Sequence, residues 1–273
     1  VFWLLVWQLL SFLIGSELLL PSPWAVVRSF CGLAQTTEFY RSILHTLLRV
    51  AAGFAAGMAA GLLAGTLTAF SRAADVLLTP LKNIIKATPV TSFIVLILLY
   101  FSSNVTPSAV AFLAVLPICW SNVCEGLRQT DKKMTELAHA YAFGRKKTLR
   151  EIYFPAVRPY LSAAATTGLG FAWKSCVAAE VIALSKNSVG RALYESKLYL
   201  ETAELFAWTA SVVLISVLLE KLLVRKLFKN KNTEGTAGRR SESLEHGHAS
   251  CEAELQYKSD AYAEYGRDEE RNI

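Results

Sequence analysis

The chain has 273 residues, 53% of them hydrophobic and 18% charged, with a formal net charge of +6. A soluble domain of ordinary composition carries about 25% charged residues, and here the charges are clustered. Residues 229–273 hold 7 bases and 10 acids, leaving 21 bases and 12 acids for residues 1–228. That split counts against a single soluble globule, a disulfide scaffold and a disordered chain. It points instead to a polytopic membrane protein with a polar appendix. The five Cys show no C-x-x-C spacing and suggest neither a disulfide framework nor a zinc site.

A membrane crossing needs about 20 mostly apolar residues. The first run, 2–20, lacks a basic flank and an A-x-A-like cleavage site, so it reads as a retained span rather than a signal peptide. Val50–Phe70 is 21 residues without a charge. Ala87–Cys124 is 38 uncharged residues with Ser103-Asn104-Val105-Thr106-Pro107 inside it, which gives two spans, 87–103 and 107–124, and a tight turn. Runs 159–184 and 204–228 complete an all-α arrangement of six transmembrane helices. Pro89 and Pro117 lie in the third and fourth spans, where each can bend its helix.

Orientation follows from Lys and Arg. With the N-terminus placed in the cytoplasm, segments 71–86, 128–158 and 220–228 carry 14 bases, and segments 21–41, 102–108 and 185–203 carry 5. Both termini are then cytoplasmic. The tail 229–273 has too few large apolar residues to bury a core and reads as disordered.

Gly53, Gly57, Gly61 and Gly65 recur every fourth residue on one stripe of the second span. Small residues at this spacing let helix backbones approach closely. The stripe serves either a seam lining a bundle or dimer, or an ordinary helix contact within one subunit. Three charges in or beside spans are pathway candidates. Lys174 could attract an anionic solute, or it could snorkel or pair with another helix. Glu180 follows six residues later, about 240° around the helix, so the two do not share a face. It could line a pathway or accept a bond from a neighbouring helix. Arg49 precedes the second span and could anchor it at the interface or touch a solute.

Segment 128–158 is long for a loop and carries its own helical patterns. Asp131 suits the N-cap of a helix over 132–143. Gly144 suits a turn. Pro155 is placed to stop a second short helix over 145–153.

The residues of this loop resemble the EAA motif, E-A-A, three residues, G, nine residues, I-x-L-P. Here it reads Glu136-Leu137-Ala138, Ala142, then Ile152-Tyr153-Phe154-Pro155. The motif marks the permease subunit of bacterial ABC importers (type I permease fold). The wider chain, about 1–228, resembles the nitrate/taurine/sulfonate branch. The carrying residues are Leu20-Pro21-Ser22-Pro23, Leu48-Arg49-Val50-Ala51-Ala52-Gly53-Phe54, Ala172-Trp173 and Val177-Ala178-Ala179-Glu180-Val181-Ile182. Two positions depart from the motif. Ala142 stands for the Gly, and Phe154 for the Leu before Pro155; Gly144 is the candidate to take over the turn.

The resemblance implies a bacterial inner-membrane homodimer that imports a small anionic solute such as a sulfonate, taurine or nitrate. An extracytoplasmic substrate-binding protein delivers the solute. The loop becomes a coupling helix, with Glu136, Leu137, Ala138, Ala142, Gly144, Ile152 and Pro155 docking a separate ABC ATPase subunit. No G-x-x-x-x-G-K-[ST] occurs, so ATP and Mg belong to that partner and the chain itself is not an enzyme and carries no cofactor. The basic run Arg145-Lys146-Lys147 lies between two spans, which places it at the anionic inner leaflet of the lipid bilayer rather than on nucleic acid. The alternative is an ion-coupled secondary transporter, for which Lys174 and Glu180 are the support.

Overall fold

The computed structural model describes residues 2–228, with the side chains of Lys132, His139, Arg145 and 223–228 left aside. The tail expected to be disordered lies outside the described residues. Residues 1–221 pack as one unit. Every regular element among the described residues is helical: α1 Phe2–Ile14, α2 Pro23–Leu33, α3 Thr37–Phe70, α4 Arg72–Ala87, α5 Val90–Tyr100, α6 Thr106–Arg128, α7 Lys132–Ala140, α8 Arg145–Thr148, α9 Phe154–Ala183, α10 Val189–Leu198 and α11 Thr202–Phe228. A π-helical turn, Leu149–Tyr153, joins α8 to α9.

Among the described residues, three helices are long and apolar enough to cross a membrane: α3, α6 and the Thr202–Leu222 part of α11. A fourth crossing is possible if α4 and α5, bent by 104° at their junction, count as one span. The bend falls at Pro89, which caps α5 and donates no N–H to α4. Pro117, by contrast, lies inside an unbroken α6. The first apolar run is helical only to Ile14, because Gly15 turns left-handed with φ of 63°. Ser22 then caps α2 by accepting from the Ala25 N–H at 3.2 Å.

The glycine stripe positions the rest. Its partner is α6 of the same chain. A Cβ built on Gly57 would lie 2.8 Å from Val115 Cβ, and one on Gly61 would lie 2.6 Å from Cys119 Cβ. On Gly65 it would meet the Trp120 carbonyl oxygen at 2.9 Å. Backbones that close exclude any side chain between them. In lipid there is no hydrophobic drive between helices, so this dispersion contact is what holds α3 to α6. Helix α9 lays Ala172, Trp173, Cys176 and Val177 against Val50, Ala111 and Val115 of that pair. Trp173 Nε1 also donates to the Val212 carbonyl of α11 at 3.2 Å.

Helix α4 is amphipathic, and its polar face turns inward. Asp75 accepts from Arg128 Nη2 at 2.6 Å, Lys86 Nζ donates to Ser121 Oγ at 2.7 Å, and Lys82 Nζ sits 5.5 Å from the centre of the Trp120 ring. Val76, Leu77, Leu81 and Ile84 are exposed on the other face. An outward apolar face is what lipid demands, the reverse of a helix in water.

Gly61→Ala should destabilise the folded chain by about 1–3 kcal/mol, since over-packing outweighs the roughly 0.5–1 kcal/mol that Ala normally gains over Gly in a helix. Gly170→Ala, where nothing lies within 4 Å, should be neutral or slightly stabilising. Unfolding midpoints of the two variants in mild detergent decide this; equal midpoints would contradict the seam.

Candidate functional site: a buried polar tie and a protruding loop helix

Two features stand out at opposite ends of the bundle. At the end away from segment 128–158, Glu180 is fully buried near the C-terminus of α9. Its carboxylate accepts from Thr46 Oγ1 at 2.9 and 3.0 Å, from Arg49 Nη1 at 2.9 Å and from the Gly190 N–H at 3.2 Å. Arg49 also donates through Nη2 to the Lys186 carbonyl at 2.9 Å and to Asn104 Oδ1 at 3.4 Å. Thr46 in turn accepts from the Val189 N–H at 3.1 Å. One carboxylate therefore fastens α3, α9 and the start of α10, and the arginine extends the tie to the turn before α6. Gly190 is required for the approach: a Cβ there would lie 2.6 Å from the Val181 nitrogen.

A buried charge is costly unless it is paired and fully hydrogen-bonded. Glu180 meets both conditions within the chain, and its oxygens have donors on each side. This geometry makes Glu180 and Arg49 a fastening. Lys174 is separate. It lies on a different, exposed face of α9 and makes no hydrogen bond or ion pair with a described residue.

At the other end, Asp131 caps α7 by accepting from the Lys133 N–H at 2.9 Å. The helix closes with Ala142 in the left-handed region, φ 50°, while Phe143 N–H reaches back to the Ala138 carbonyl at 2.9 Å. This is a Schellman closure, normally made by Gly. The turn expected at Gly144 is therefore made by Ala142, the position where the motif has Gly, at a strain cost of about 1 kcal/mol. Gly144 instead starts α8, its carbonyl accepting from the Lys147 N–H at 2.9 Å.

Pro155 does not stop the second short helix. It falls in the first turn of α9, directly after the π turn, where Phe154 N–H bonds the Leu149 carbonyl five residues back. The widened turn gives the proline ring room and absorbs its missing donor. The ring of Tyr153 packs edge-on against Phe70 at the end of α3, with centroids 5.3 Å apart. Ile152 is half-buried beside it.

The loop helix has a sided surface. Ala138 turns inward and is 3% exposed in the single chain. Glu136 and Leu137 point outward. Met134 and Leu137 of α7 and Tyr141 just past its end, at 55%, 55% and 71% exposure, form an apolar stripe beside Lys133 and Glu136. Met134 and Tyr141 were not singled out from sequence, although their i, i+3, i+7 spacing with Leu137 would have revealed the face.

Comparison with known proteins decides the family. The profile of the family described as binding-protein-dependent transport system inner membrane component matches residues 57–227. The chain belongs to this family. Its relatives include a protein of Bacillus subtilis (strain 168) named as an aliphatic sulfonates transport permease, 27% identical over 84% of this chain and 84% of its own. A protein of the same name in Escherichia coli (strain K12) is 30% identical over 80% of each chain. A riboflavin transport system permease of Chloroflexus aurantiacus is 32% identical over 76% of this chain and 80% of its own. The chain is thus an ABC transporter permease and a membrane protein, and its family is one of transport rather than catalysis.

Breaking the tie from one side should be worse than removing it. Arg49→Met leaves a buried carboxylate without its cation and should cost about 3–5 kcal/mol. Arg49→Met with Glu180→Met should recover a large part of that loss. Unfolding midpoints and detergent-extracted yield report both; a single variant no less stable than the double would contradict the fastening.

Proposed function

We propose that the chain is the membrane-spanning permease subunit of an ATP-driven importer and acts as a homodimer. Six crossings, both termini in the cytoplasm, fit the Lys and Arg asymmetry and the family. Helices α1, α3, the bent α4–α5 pair, α6, α9 and α11 would make them. Segment 128–158 then lies in the cytoplasm and α10 on the outer side, where a substrate-binding protein delivers the solute. ATP and Mg are held by a separate ATPase, and the permease contributes no cofactor. The solute is a small anion, sulfonate-like; the names of the Bacillus and Escherichia relatives favour this over a neutral ring such as riboflavin.

The observation that carries this reading is the apolar stripe of α7. Water-facing loop helices do not keep Met, Leu and Tyr in a row without a partner to cover them. A groove in the ATPase is the fitting cover, with Glu136 beside the stripe as a charged anchor for a partner base. The route inward is short: the 141–144 turn joins α7 to α8, which leads through the π turn into α9. Tyr153 against Phe70 adds a second footing on α3.

Leu137→Glu should leave the chain folded, since the side chain is exposed, and should abolish ATP-dependent uptake by the reconstituted complex. Solute-stimulated ATP hydrolysis should fall to the unstimulated level. Unchanged uptake would reject the docking role of α7.

A further inference from the structure

Helix α9 has two unlike faces. Ala172, Trp173, Cys176 and Glu180 lie on the buried one. The other, exposed in this chain, runs through Ala163, Thr167, Phe171, Lys174, Ala178 and Ile182 at spacings of three and four residues. Lipid-facing stripes in this molecule look different. Between positions 44 and 70 the exposed residues of α3 are all Leu, Ala or Phe, among them Leu44, Leu48, Ala55, Ala59, Leu63 and Leu67. The α9 stripe differs from it by a hydroxyl and an amine. Its depth sharpens the contrast. Lys174 lies ten residues before the end cap of α9 at Leu184, about 15 Å at the helical rise, which is half of a roughly 30 Å hydrocarbon core.

A cation facing lipid at that depth is costly. The lysine stem is too short to carry its charge from mid-depth to either interface. No acid among the described residues neutralises it: Glu180 is on another face and engaged by Arg49. What resolves the cost is water with an anion passing through it.

We infer that Lys174 is the fixed positive charge of a water-filled pathway along the exposed face of α9, and that it makes the pathway selective for anions. The ligand class is a small solute with a sulfonate or comparable singly charged head, admitted in preference to neutral or cationic molecules. This rests on the transport reading and names the residue that sets its charge preference. In a symmetric dimer two such amines would face one pathway, and an anion between them would relieve their repulsion.

The test reads the local potential without ATP or solute. Ala178→Cys places a thiol one turn from Lys174. It is made in the full chain in native membrane vesicles, with Cys31 and Cys251 changed to Ser. The thiol is treated with sulfonatoethyl methanethiosulfonate and, separately, with trimethylammonioethyl methanethiosulfonate, each rate divided by that of a free thiol. The anionic reagent should react about fivefold faster or more. Lys174→Gln should bring the ratio close to one, Lys174→Glu should invert it, and Lys174→Arg should preserve it. Thr167→Cys on the same stripe provides a second reporter if the first variant misfolds. Failure of both reagents at both sites would mean that lipid or protein covers the face, and would overturn the inference. So would a ratio that ignores Lys174→Gln and Lys174→Glu. A chain that labels as expected but never retains an ATPase would count against the ATP-driven reading alone.

Discussion

The close approach of α3 and α6 is the constraint on which the other contacts depend. Four glycines at four-residue spacing remove the side chains that would hold the two backbones apart, and Val115, Cys119, Trp120 and Val123 of α6 come up to fill that space. Inside a membrane this close fit substitutes for the hydrophobic effect, which gives helices no reason to prefer each other over lipid. Once the pair is set, the surface it presents is fixed, and α9 finds its place on Val50, Ala111 and Val115. The two ends are then fastened by polar groups: Glu180 with Arg49 and Thr46 at one, Asp75 with Arg128 and Thr68 with Trp120 at the other. These bonds complete the packing at points where the chain leaves the bundle and backbone groups need partners.

The placement of α9 links the functional features. It begins at the π turn that ends the loop, passes Lys174 on its exposed side, and finishes beside the Glu180 tie. A force applied to α7 crosses the 141–144 turn, and from α8 onward the connection to α9 is helical throughout. The left-handed Ala142 stores a small strain at the point where α7 turns toward α8. Packed cores deform little and switch between discrete arrangements, so a push on the loop is expected to move α9 as a body.

What the sequence disclosed depended on whether a feature is local or pairwise. The glycine stripe was legible because four-residue spacing defines one helix face; its partner was not, since nothing local identifies α6. Lys174 and Glu180 were separable by helical angle alone, and the structure places one on an exposed face and the other on a buried one. Arg49 and Glu180 each stood out as charges near spans, yet they lie 131 residues apart in sequence, and only the fold joins them. The loop misled in two places for physical reasons. Gly144 is the conformationally free residue, but the end of α7 at Ala140, closed by the Phe143 N–H on the Ala138 carbonyl, fixes the left-handed position at Ala142. Pro155 looked like a stop, and a π turn accommodated it. The inward polar face of α4 inverts the aqueous rule and becomes readable only when the surroundings are taken to be lipid.

Coupling through α7 needs a second protein acting on it. The most direct measurement is purification of the tagged full chain in mild detergent, expressed together with its candidate ATPase, followed by assay of the eluate for the ATPase subunit and for ATP hydrolysis. The account predicts that the unaltered chain retains the ATPase, and that the chain carrying Met134→Asp, Leu137→Glu and Tyr141→Asp elutes folded but without it. Retention of the ATPase by both chains, or by neither, would contradict it.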